Sequence, residues 1–198
     1  MMRHQYLATR RYDLIMPATD GTQRTRRAIL DAAARVLGQR SDAGMADIAE
    51  EAGVGRATLY RHFPTRESLI AGVQEAGTDE LVAAFESAGL GKLPVDRAIA
   101  RATGVFLRTG AKYAAVISRD DEHREHAAKN RAIAPIRELI SRGIRDGELR
   151  TDLADGALFE MYSALIARAQ LLTITDRVTP EEAADTVLAV FLDGALKR

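Results

Sequence analysis

Apolar residues recur every three or four positions along nearly the whole chain, and no stretch shows the two-residue alternation of a half-buried strand. Over about residues 22–37, Ala28, Ile29, Ala32, Ala33, Val36 and Leu37 fall on one face of a helix. Ile48, Ala49 and Ala52 repeat the spacing over a shorter second helix, and Gly53 follows as a corner that tolerates positive φ. Val54 and Leu59 are expected to pin a third helix, about residues 56–62, back onto the second. Ala49 is small, as a close crossing of two backbones requires. Phe63 reads as core. Pro64 and an N-cap at Thr65 open a fourth helix that runs to about Ala88 and ends at Gly89 and Gly91.

The pattern continues to the C-terminal end. Pro94 opens a fifth helix to about Thr109, where Gly110 is expected to break it, and a short sixth lies within residues 112–118. A seventh spans about residues 122–146, with Pro135 bending or interrupting it. An eighth starts at Asp152 or Leu153 and runs to about Thr173. The run Thr179-Pro180-Glu181-Glu182 caps a ninth that reaches about Leu196. Nine helices without strands predict an all-α chain. Residues 1–20 read as a flexible arm, 21–66 as a three-helix unit, and 67–198 as a larger helical domain.

Two short helices joined by a glycine corner have the spacing of a helix-turn-helix, whose second helix enters the major groove. The match goes further. ADIAEEAGVGRATLYRHFPTRESLI at residues 46–70 and TRRAILDAAARVL at residues 25–37 resemble the TetR family of one-component transcriptional regulators, a likeness covering about residues 22–73. It departs from the family pattern at Gly44, Met45 and Ala46, where threonines and an arginine often touch DNA, and at Gly55, where a capping side chain often stands.

Net charge is zero over 198 residues, yet the first 72 hold 11 Arg and 8 acidic residues, and every basic residue there is Arg. On the third helix, Arg56, Ala57 and Tyr60 are expected to face the groove, Arg56 as a fork on guanine and the other two against thymine methyl groups. The resemblance implies that Thr58, Tyr60, His62 and Arg66 grip phosphates. Arg66 would do so at the start of the fourth helix, and Arg24, Arg26 and Arg27 would hold backbone from the first helix. Arg10 and Arg11 on the arm reach toward a minor groove in this reading, although surface arginines are more often simply solvated.

The eighth and ninth helices carry more apolar surface than one small domain needs, through Leu158, Met161, Tyr162, Leu165, Ile166, Ala169, Leu172, Val187, Leu188, Val190, Phe191 and Leu192. The resemblance implies that they form a four-helix homodimer interface, and that each protomer holds a small-molecule effector between the fifth to eighth helices. Phe106, Leu107, Tyr113, Ile117, Ile136, Met161, Tyr162 and Leu165 are the expected lining, each with an ordinary core role as the competing reading. The implied function is a repressor that binds a palindromic double-stranded DNA operator as a dimer and is released by its effector.

Other classes find less support. No cofactor is expected, and no nucleophile motif, phosphate loop or cofactor fingerprint points to an enzyme. His123 and His126 stand three apart among Asp120, Asp121, Glu122 and Glu125, a spacing that allows a metal-responsive regulator but more often marks a solvated face. An architectural DNA binder without a ligand leaves the long C-terminal part unexplained. Zero cysteines, no apolar run judged long enough to span a bilayer, and an opening unlike a secretory signal lead to a cytoplasmic assignment.

Overall fold

A computed structural model describes residues 20–117, 125–154 and 156–196, with side chains placed for all of these except 20, 111–112, 114–117 and 125–129. The described residues form eight α-helices: α1 (Asp20–Gln39), α2 (Met45–Glu51), α3 (Arg56–His62), α4 (Arg66–Ser87), α5 (Val95–Ile117), α6 (Glu125–Arg145), α7 (Ala157–Ile174) and α8 (Pro180–Ala195). A single 3-10 turn, Leu90–Lys92, joins α4 to α5. Beyond the helices, one isolated antiparallel bridge pairs Leu149 with Leu196. Of the predicted arm (residues 1–20), Asp20 opens α1, and residues 1–19, with Arg10 and Arg11, lie outside the described residues, as do His123 and the acids from Asp120 to Glu122.

Two apolar cores divide the chain. In the head, Ile29, Leu30, Ala33 and Leu37 of α1 meet Ile48, Ala49, Leu59, Phe63 and the first half of α4 through Leu69, Val73 and Ala76. In the body, Leu81 and Phe85 from the second half of α4 meet α5, α6, α7 and α8 through Ile99, Leu107, Ile136, Ile140, Tyr162, Ile166, Val187 and Phe191. Arg142 of α6 holds the corner between α4 and α5, donating to the carbonyls of Gly91 (3.0 Å) and Leu93 (2.9 Å). Glu148 accepts the otherwise unmatched Val95 N–H at the start of α5 (3.0 Å).

Local signals fared well and interruptions did not. Thr65 caps α4 by accepting the Ser68 N–H at 3.1 Å. The fifth and sixth predicted helices are one helix, because α5 passes through Gly110 without a break. That glycine is buried, and a Cβ there would lie 2.5 Å from Nε2 of Gln170 on α7. Its small size serves a close helix contact rather than a turn. Pro135 lies inside α6, which continues on both sides of it. The start expected at Asp152 or Leu153 falls instead at Ala157, after Gly156 with φ of 77°. Asp152 is taken up earlier by a two-pronged ion pair with Arg150, at 2.9 and 2.7 Å, which with its own backbone hydrogen bond holds its carboxyl down at about 2.

One expectation about membranes needs correcting: α7, with 18 residues, is long and apolar enough to cross one by length and composition alone. A third of the helix is buried, and Leu158, Phe159, Tyr162, Ile166 and Ala169 pack it into the body core.

The N-terminus of α8 yields a pH-dependent prediction. The Glu182 carboxylate accepts from the Thr179 N–H (2.9 Å) and hydroxyl (3.1 Å), and these bonds lower its pKa from 4.5. A carboxylate with a lowered folded pKa contributes stability above its unfolded value and loses it as pH falls through the folded one. Glu182→Ala should therefore lower the urea midpoint at pH 7, and the gap to wild type should narrow steadily below pH 4.5.

Candidate nucleic-acid interface

The head is shaped by its corner. Gly53 has φ of 64°, a left-handed conformation that a side chain would strain, and its N–H bonds to the Glu50 carbonyl at 3.0 Å. The Val54 N–H reaches back to Ala49 at 3.0 Å, which turns the chain sharply out of α2. Ile48 and Ala49 on α2 and Leu59 on α3 are buried where the two helices cross. Phe63 is 3% exposed and closes the end of α3, with the Arg26 guanidinium 5.2 Å above its ring. The start of α3 has no side-chain cap, since Gly55 stands there.

With Leu59 inward, the outer side of α3 is determined. At about 100° per residue, Arg56, Tyr60, Ala57 and Arg61 occupy one continuous arc of about 140°, and all four are exposed. Tyr60 is 48% exposed, a large value for an aromatic ring. Neither Arg56 nor Arg61 makes an ion pair among the described residues. Thr58 and His62 are half-buried at the margins of the arc. Arg61 thus sits on the same outward face as Arg56.

Arg66 and Arg27 are used differently from expectation. The Arg66 guanidinium donates to the carbonyls of Ala43 and of Ser41 (2.9 Å), binding the start of α4 to the loop between α1 and α2. It is committed to backbone groups of the head rather than held open for a phosphate. Arg27 points to α4, where it pairs with Glu80 at 2.9 Å and, on its own helix, with Asp31 at 3.5 Å.

The predicted effector residues whose side chains are described divide three ways. Leu107, Ile136 and Tyr162 are buried together in the body core, with Phe106 and Leu165 partly buried against it. Tyr113 belongs to the head core instead, packed on α4. Met161 is 60% exposed and faces outward, because Tyr162 and Leu158 take the inward side of α7. The Ile117 side chain lies outside the described residues. Sequence reasoning missed a buried polar pair in this core: the Thr103 and Tyr162 hydroxyls are 2.9 Å apart, and Thr103 also donates to the Ile99 carbonyl at 2.8 Å. Burial pushes the Tyr162 phenol up to about 12, against the pull of its bond to Thr103. A groove of about 320 Å³ opens elsewhere, between α1 and α4 of the head, along Gln23, Arg26, Arg27, Leu30, Glu75 and Asp79. Among the described residues no group of His, Asp and Glu has the arrangement of a metal site, and the side chain of His126 is not described.

Comparison with known proteins agrees with this geometry. A model of bacterial regulatory proteins of the tetR family matches residues 29–73. The chain is 46% identical over 79 residues to the HTH-type transcriptional repressor LfrR of Mycolicibacterium smegmatis, a match spanning 40% of this chain and 42% of that protein. It is 26% identical over 193 residues to the HTH-type transcriptional repressor KstR2 of Rhodococcus jostii, spanning 89% and 93% of the two chains. The crystal structure of LfrR in complex with proflavine superposes with a TM-score of 0.72 and 27% identity, over 88% of this chain and 99% of that one. This chain's sequence match to LfrR spans less than half of that protein's length.

Because Arg66 is tied into the fold and Arg56 is not, their removal should separate cleanly. Arg66→Ala should cost about 1–3 kcal/mol of folding stability through hydrogen bonds to a charged group. Arg56→Ala should stay within about 0.5 kcal/mol of wild type. Urea unfolding of both variants checks this, and equal losses would contradict the assignment of Arg66 to the fold.

Proposed function

The chain belongs to the tetR family of bacterial regulatory proteins, and from that premise we propose that it is a dimeric transcriptional repressor which binds a palindromic operator and is released by a small molecule. One observation carries the DNA-binding part: α3 projects Arg56, Ala57, Tyr60 and Arg61 from a rigid corner with no covering element among the described residues. Arg56 reads a guanine through O6 and N7, while Tyr60 and Ala57 pack against neighbouring thymine methyl groups. Thr58, His62 and Arg61 contact the flanking phosphates and hold register. The family is one of regulators, not enzymes, and both relatives compared over their sequences are named as repressors.

Dimerisation is supported by what α7 and α8 leave uncovered. Met161 (60% exposed) and Leu171 (44%) on α7, and Val190 (58%) on α8, are apolar side chains turned to solvent. A second copy laid on the same two helices buries them and sets two α3 helices to face successive major grooves. The body core, with Leu107, Ile136, Phe106, Leu165 and the Thr103–Tyr162 pair, suits an effector that is mostly apolar with a polar group for the two hydroxyls. Ligand-dependent movement of α4 then alters the spacing of the heads.

Footprinting on the DNA upstream of the chain's own gene should show a protected palindrome. Proflavine, the compound in the LfrR complex, is the first candidate to add for its release. Arg56→Ala should relax preference at one base position in each half-site, a change of about 1–3 kcal/mol in discrimination. Protection indifferent to base substitutions throughout the footprint would remove Arg56 from the reading role. In light scattering, the wild-type protein should run as a dimer at micromolar concentration and Val190→Glu should shift it toward monomer. A monomeric wild type would exclude the palindrome geometry.

A further inference from the structure

One residue of the body lies in the core of the head. Tyr113 is on α5, four residues before the end of that helix, yet it is 2% exposed and clusters with Ile29, Leu59, Phe63, Leu69 and Val73. Among the described residues it is the only member of that core from beyond α4. Its ring is seated directly on the α4 backbone: a Cβ at Gly77 would come within 2.7 Å of the ring Cγ and 3.0 Å of both Cδ atoms. Real Cβ atoms do not approach so closely, so any larger residue at position 77 displaces the ring or α4 itself.

The hydroxyl end of the same side chain makes a second connection. Tyr113 donates to Glu80 Oε2 on α4 at 2.7 Å, and that oxygen also accepts from Arg27 Nη2 on α1 at 2.9 Å. A single carboxylate oxygen therefore joins α5, α4 and α1. Arg27 is further tied to Asp31 one turn along α1. The arrangement differs in kind from an ordinary core contact, because it combines a ring locked over a glycine with a directional, charge-assisted hydrogen bond. Any rotation or sliding of the end of α5 must break the Tyr113–Glu80 bond or carry α4 and α1 with it. Those are the helices against which α2 and α3 are packed.

We propose that Tyr113, Glu80 and Arg27 form the mechanical joint between body and head: the position of α5 reaches α3 through the ring on Gly77 and the shared Glu80 oxygen. Tyr113 and Glu80 are positioning residues in this scheme and contact neither DNA nor effector. The regulatory meaning of the joint rests on the reading of α3 as the DNA-binding helix, whereas its mechanical existence does not.

Hydrogen exchange with mass spectrometry tests both levels on the full chain. Tyr113→Phe keeps the ring on Gly77 and removes the bond to Glu80, and Gly77→Ala keeps the hydroxyl but crowds the ring. In the free protein, Tyr113→Phe should speed exchange in α1 and α4 about tenfold, as expected for one lost hydrogen bond to a charged group, with α7 and α8 unchanged. Gly77→Ala should act on the same helices. Exchange unaltered in α1 and α4, or raised equally in all eight helices, would overturn the joint. A second arm adds a duplex of the chain's own upstream DNA. Wild type should gain protection in α3 and also change in α5, and Tyr113→Phe should keep the α3 response while losing that in α5. An α5 response of equal size in the variant would overturn the transmission role. If the duplex leaves wild-type α3 unprotected, the DNA-binding reading fails, and the free-protein arm alone decides whether the joint exists.

Discussion

Everything in this fold is arranged around α4, one continuous rod of 22 residues, about 33 Å long, whose two halves are buried in different cores. Leu69, Val73 and Ala76 belong to the head, while Leu81 and Phe85 belong to the body. A helix without a break inside it does not let its ends move independently. The head is held on one end by Arg66 and Phe63, and the body grips the other through Arg142 at the corner with α5. The two cores are therefore separate in packing and joined in mechanics. An allosteric regulator requires that combination, since the two sites must be distinct and yet biased by one shared element.

The division explains why local features were readable in the residues. The bounds of α3, the left-handed Gly53, and the caps at Thr65 and Thr179 all depend on neighbours within a few positions. Helical periodicity identifies Ile29, Leu59 and Phe63 as core for the same reason. Gly110 was misread because a glycine in a helical pattern has two meanings, a break or a close contact, and only the Gln170 side chain on a distant helix selects the second. Met161 and Tyr162 are adjacent and both apolar in pattern, yet one is 60% exposed and the other 3%. No local signal tells which side of α7 meets the body.

The arginines make the same point in electrostatic terms. Arg27, Arg56, Arg61 and Arg66 are equivalent in composition, and the sequence suggests DNA contacts for Arg27, Arg56 and Arg66. Folding sets them apart. Arg66 finds the Ser41 and Ala43 carbonyls and Arg27 finds Glu80, which stand 25, 23 and 53 residues away. Arg56 and Arg61, five residues apart and either side of Tyr60 on the arc, are directed outward. Which cations remain available to an incoming polyanion is thus a tertiary property, settled by the partners that folding supplies or withholds.

The buried Thr103–Tyr162 pair has a consequence for what sort of signal the body would receive under the proposed function. With its phenol held near 12, Tyr162 keeps its proton across every pH a living cell maintains. The interior therefore offers a visitor an unchanging neutral contact instead of a charge that comes and goes with acidity. A shift in acidity finds no lever at this pair. In the proposed regulator, a molecule that competes for the two hydroxyls does.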